Sequence, residues 1–269
     1  MSEHFFHQNF NSWHYYKFGY GSKGLLAFHG YGQTGKMFEP LLPALESTYT
    51  IYAFDFIAHG KTEWNSKSAC TDADWAKMVD DFAKEQGLES ISLMGFSMGG
   101  KMVLHGLTKI QTPIERIFLI AMDGVKLNKI NHPALNKPRI KKIVRAMLYN
   151  AKPLLKILPL FKKIGLLNTQ QIEFMHYYLA SERRRKRSFM TWKSMLYFWQ
   201  PLDEVIEFIE NHKIKTHILF GRRDKILSPK LAKQLNKLIP GSTLNWADGG
   251  HFIVDESLNP IIQHILAEQ

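Results

Sequence analysis

Ile91 to Leu107 reads ISLMGFSMGGKMVLHGL: an apolar run meets Gly95-Phe96-Ser97-Met98-Gly99 and continues in a helical pattern. The segment predicts a strand, a tight turn and a helix built around one serine. A nucleophile at such a bend stands clear of the sheet, and glycines two residues to either side leave room for neighbouring backbone. Ser97 is therefore the candidate nucleophile. The same pentapeptide also suits a serine that merely caps the following helix, so the surrounding chain decides between chemistry and capping.

Outward from this stretch, short apolar runs alternate with helical ones. Trp13–Tyr20 (WHYYKFGY), Gly24–Phe28, Thr50–Phe54, Arg116–Met122, Thr216–Gly221 and Thr243–Trp246 read as strands. Phe38–Leu45 and Asp72–Gln86 read as helices, the latter with Trp75, Met78, Val79 and Phe82 at helical spacing and aspartates at its start. This alternation predicts an α/β fold with a mainly parallel central sheet flanked by helices. Functional loops in such a sheet lie at the carboxyl ends of its strands. Those ends carry His29-Gly30, Asp55, Ser97, Asp123, Asp224 and, after the last strand, His251. Serine, then acid, then a late histidine is also the chain order of a hydrolase triad.

Composition bounds the alternatives. A chain of 269 residues, 45% hydrophobic and 13% aromatic, buries one sizeable core and is neither disordered nor fibrous. One cysteine, Cys70, excludes an internal disulfide and a cysteine-based zinc site, and fits a reducing compartment. The first residues lack a basic segment followed by an apolar run, and no window holds the ~18 consecutive apolar residues of a membrane span. The expectation is a soluble, cytoplasmic protein. Neither a metal site nor a cofactor fingerprint is predicted, since the glycine-rich segments suit a nucleophile turn and not a phosphate loop.

HGYG at 29–32, DFIAHG at 55–60, GFSMGG at 95–100, GRRD at 221–224 and GGHF at 249–252 together resemble the α/β-hydrolase fold superfamily, from about residue 13 onward. The resemblance implies a triad of Ser97, His251 and Asp224, with an oxyanion hole made by the backbone N–H groups of Tyr31 and Met98. His29, Phe96 and Lys101 are expected beside the substrate. Asp123 rivals Asp224 as the acid, because some members of the superfamily place it after the sixth strand; Asp248 is a weaker rival. Asp55 resembles the family's structural aspartate and is expected to organise loops.

Residues 126–200 contain 17 Lys or Arg against 2 Glu, whereas the remainder carries 18 basic against 22 acidic residues. The net charge of +11 thus originates in one insertion. Its pieces Pro138–Asn150 and Asn168–Leu179 read as amphipathic helices, and Pro153 and Pro159 are expected to break it into short ones. The division is a core of residues 1–124 with 201–269 and a basic helical lid of 125–200, where the family carries its cap. The lid's charge suits an anionic substrate, peripheral contact with an anionic membrane, or solubility alone. The run RRRKR at 183–187 comes without a nucleic-acid-binding module, so no nucleic acid is expected.

The function implied is hydrolysis of carboxylic esters or thioesters. A serine at the nucleophile position argues against dehalogenase and epoxide hydrolase chemistry, which needs a carboxylate. GFSMGGKMVLHG is also similar to the MenH lyase family of menaquinone synthesis, whose basic residues hold a polycarboxylate; Lys101 stands where that family tends to have arginine. A lyase or C–C bond hydrolase acting on a carboxylated substrate is the alternative, and a ligand-binding homologue without chemistry is the alternative of another class.

Overall fold

The computed structural model describes residues 1–122, 135–165 and 167–268. Asp123 lies outside them. The chain forms two compact units, residues 1–126 with 198–269, and residues 127–197.

The first unit is built on an eight-stranded sheet in the order β1-β2-β4-β3-β5-β6-β7-β8. Its strands are β1 (Ser2–Gln8), β2 (Asn11–Phe18), β3 (Lys23–Phe28), β4 (Tyr49–Phe54), β5 (Ile91–Phe96), β6 (Ile114–Ile120), β7 (Lys215–Gly221) and β8 (Thr243–Ala247). β2 runs antiparallel to β1 and β4, and every pairing from β4 through β8 is parallel. Every residue of β5 is buried, as are Gly24–Phe28 of β3 and Arg116–Ile120 of β6. That is why these strands read as unbroken apolar runs: both faces are covered. The edge strand β1, by contrast, buries only Phe6, and its polar SEHFFHQ sequence carries no apolar period by which to predict it.

β3 lies between β4 and β5, so the strand order reverses there, and loops leaving the carboxyl ends of β3 and β5 diverge from a shared crevice. Phe28 is paired with Gly95, which sets the loop after His29 beside the turn at Ser97.

α2 (Asp72–Glu85) begins with a reciprocal Thr71–Asp74 capping box and buries Trp75, Met78, Val79 and Phe82. The helix expected at Phe38–Leu45 is divided into a 3-10 segment, Gly35–Leu41, and a single turn, α1 (Leu42–Leu45). Pro40 and Pro43 are the cause, since neither can donate a backbone hydrogen bond. α3 (Met98–Gly106) packs against α2, α8 (Leu202–Asn211) against α3, α9 (Pro229–Leu238) on β7 and β8, and α10 (Asn259–Ala267) against α1.

The second unit contains α4 (Pro138–Tyr149), α5 (Ala151–Lys163), α6 (Thr169–Leu179) and α7 (Glu182–Met195). α4 packs on α7, and α5 on α6. Contrary to expectation, Pro153 and Pro159 do not break the chain into separate helices, because α5 runs through both. Pro153 sits in the first turn, where an N–H has no intrahelical partner to lose. The break falls instead at Asn150, whose φ of −111° and ψ of 72° leave the helical region. No helix among the described residues is long and apolar enough to cross a membrane.

Candidate active site

Ser97 stands between β5 and α3 with φ of 50° and ψ of −111°, a conformation that L-residues rarely adopt. Its N–H donates to the Ile120 carbonyl at 2.8 Å, and its carbonyl accepts from Lys101 N–H at 3.1 Å. The neighbouring strand and the new helix therefore hold the bend from both sides. The flanking glycines are sterically required: a Cβ on Gly99 would lie 1.9 Å from the Phe28 carbonyl oxygen, and one on Gly95 2.5 Å from Gly100 Cα.

The side chain of Ser97 is the end of a hydrogen-bonded chain. His251 Nε2 lies 3.1 Å from Ser97 Oγ, and His251 Nδ1 lies 2.8 Å from Asp224 Oδ2. Asp224 follows β7 and His251 follows β8, two strands paired in parallel register, so their loops emerge at the same sheet edge. Backbone bonds lock them together: Arg222 N–H donates to Ala247 O at 3.0 Å, and Arg223 N–H to Gly249 O at 2.9 Å. Asp224 Oδ1 accepts the N–H groups of Ile226 and Leu227, both at 2.8 Å. The carboxylate is thus bonded on both oxygens and is buried, as is His251. With Asp224 accepting at Nδ1–H, Nε2 is left as the acceptor for the serine hydroxyl. Asp248 points elsewhere; its carboxylate is exposed and 3.5 Å from Arg223.

The loop after β3 is held by two buried histidines. His29 Nε2 accepts Phe56 N–H at 2.9 Å and its Nδ1 lies 2.7 Å from Gly30 O, so the ring braces backbone. His59 Nε2 accepts Gly32 N–H at 2.9 Å, and its Nδ1 lies 2.9 Å from Ile57 O. Half-buried Tyr31 stands between these anchors, its ring edge-on to His59 at 5.6 Å. Met98 is the first residue of α3, where a backbone N–H has no partner within the helix. Phe96 is buried with its ring 5.2 Å from that of His251. Lys101 lies half-buried in the first turn of α3.

Asp55 is fully buried and distributes its carboxylate over three partners: Gly35 N–H at 2.8 Å, Lys61 N–H at 3.1 Å and His14 Nδ1 at 2.7 Å. These bonds join β2, the loop after β3 and the loop after β4, the organising role expected of it. His14 and His59 are the participants that sequence reasoning missed. For His59 a signal existed in DFIAHG, where it adjoins Gly60; His14 had none. Among the described residues no group of three or more His, Cys, Asp or Glu is placed to hold a metal ion.

Several known proteins share this arrangement of chain. The uncharacterized hydrolase YugF of Bacillus subtilis (strain 168) is 21% identical over 252 residues, covering 91% of this chain and 89% of the relative. The pimeloyl-[acyl-carrier protein] methyl ester esterase of Neisseria meningitidis serogroup B is 22% identical over 228 residues, covering 82% and 83% of the two chains. Among solved structures, the thioesterase domain from the curacin biosynthetic pathway superposes with a TM-score of 0.68 at 16% identity over 99% of each chain, a likeness of fold. Residues 25–260 match the model of the alpha/beta hydrolase family. With that match spanning the sheet from β3 to the start of α10, and with esterases and hydrolases among its relatives, the chain belongs to the alpha/beta hydrolase family.

Proposed function

We propose that this hydrolase cleaves carboxylic esters or thioesters through an acyl-enzyme on Ser97. The observation that carries the reading is the continuous chain from Ser97 Oγ through the His251 imidazole to Asp224. His251 Nε2 takes the hydroxyl proton as Ser97 Oγ attacks the substrate carbonyl carbon. Asp224 holds the imidazole in the required tautomer and stabilises it while it is charged. The tetrahedral oxyanion is received by the N–H groups of Tyr31, in the loop after β3, and of Met98, at the start of α3. His251 then returns the proton to the departing alkoxide or thiolate, and water attacks the acyl-enzyme with the same histidine as base. The positive charge concentrated in residues 126–200, 17 Lys or Arg against 2 Glu, supports a substrate that carries a carboxylate or phosphate.

The test is initial rate across p-nitrophenyl esters of increasing acyl length, for the native protein and Ser97→Ala. Hydrolysis that disappears in Ser97→Ala supports the reading, and the acyl optimum sizes the pocket. Native protein that neither turns over any ester nor reacts with a fluorophosphonate probe, while folded, would overturn it.

A further inference from the structure

The second unit turns large apolar side chains to solvent. On α4, Ile143 and Met147 lie one turn apart and are 58% and 46% exposed. On α5, Ile157 and Leu160, with Ile164 at the C-cap, are 44%, 55% and 58% exposed. At 3.6 residues per turn these three fall within about 60° of one another around the helix. Lys152, Lys156 and Lys163, all exposed, form a row along one flank of that stripe. Ala151 and Leu158, on the other side of α5, are buried. A helix on a soluble surface normally turns its apolar stripe inward. An apolar stripe bordered by lysines is the layout of a helix lying at a lipid interface.

Charge selects among occupants of such a surface. The segment 126–200 holds 17 Lys or Arg against 2 Glu, so two copies meeting across this face would oppose like charges. Nucleic acid would satisfy the lysines and leave the isoleucines and leucine in water. An anionic lipid surface satisfies both, because phosphate groups meet the lysine row while the side chains of the stripe enter the acyl boundary. We propose that α4 and α5 dock the protein on an anionic lipid surface. The proposal is independent of the ester-hydrolase reading, since docking is measured without turnover.

The experiment is co-sedimentation of the full chain with phosphatidylcholine vesicles, with and without phosphatidylglycerol. Binding is expected to the anionic vesicles only and to weaken with salt. Lys152→Gln, Lys156→Gln and Lys163→Gln combined should lower the partition coefficient roughly a hundredfold, a several-fold loss per lysine. Ile157→Ser, Leu160→Ser and Ile164→Ser combined should abolish binding at moderate salt. Leu160→Ser alone should give a graded loss, which guards against misfolding of the triple variant. Equal binding to neutral and anionic vesicles, or none to either, overturns the proposal. So does undiminished binding by the serine variants with equal affinity for a DNA duplex, which would mark a general polyanion surface. A dimer that the serine substitutions dissociate would assign the stripe to a second copy and overturn it as well.

Discussion

His59 Nε2 accepts the backbone N–H of Gly32 at 2.9 Å, one residue beyond the Tyr31 amide proposed for the oxyanion hole. The same ring is held by Ile57 O at its other nitrogen, so it fixes the loop's position against the loop after β4. Loss of that acceptor releases one end of the loop without touching Ser97, His251 or Asp224. His59→Ala is expected to lower kcat on a p-nitrophenyl ester about 10- to 100-fold with little change in KM, because a misplacement near 1 Å costs on that order. His59→Gln, which presents an acceptor near the position of Nε2, should recover most of the loss. An equal rate deficit in both variants would show that ring packing, and not the hydrogen bond, is what matters.

The two carboxylates near His251 should respond very differently. Asp224→Asn retains the shape of the loop but no longer favours the Nδ1–H tautomer, and kcat should fall by about 10⁴. Asp248→Asn removes an exposed partner of Arg223, and steady-state rates should stay within about threefold of native. Comparable losses in both would relocate the acid.

Ser97 carries backbone strain as well as the proposed nucleophile. Its φ of 50° and ψ of −111° suit glycine far better than any residue with a Cβ. Ser97→Gly should therefore be more stable than Ser97→Ala by about 1 kcal/mol, the relief of strain exceeding the entropy that glycine adds to the unfolded chain. Urea denaturation midpoints decide it. A less stable glycine variant would show that the bend stores no strain.

His217 offers a pH-dependent handle outside the hydrogen-bonded chain of Ser97, His251 and Asp224. It lies on β7, its Nδ1 2.9 Å from Thr243 Oγ1 and its ring stacked on Phe118 at 5.4 Å. Burial, aided by the Arg116 and Lys215 charges, pushes its pKa down to about 4. The unfolded chain regains an ordinary value near 6.5 and binds the proton first, so stability falls as pH drops from about 6.5 towards 4. The native protein should lose about 2 kcal/mol between pH 7 and pH 4.5 from this group. His217→Gln removes the titration, and its urea midpoint should decline less over that range. Parallel declines would place the pH dependence in other groups.

The strand, turn and helix around Ser97 were legible because their causes are local: apolar runs between covered faces, and glycines forced by close backbone approach. The candidates Ser97, Asp224 and His251 were legible too, since each follows a strand of one parallel sheet and the sheet gathers its carboxyl ends. Position along the chain could not say which acid reaches the imidazole; the backbone pairing of the loops at Arg222 and Arg223 with those at Ala247 and Gly249 aims Asp224 at His251 and leaves Asp248 exposed. His14 and His59 were hidden for the same reason, because a hydrogen-bond acceptor's role belongs to the distant N–H or carboxylate that packing sets against it. Pro153 illustrates the converse: a proline's effect depends on its place within the helix, and only the folded chain reveals that α5 begins two residues before it.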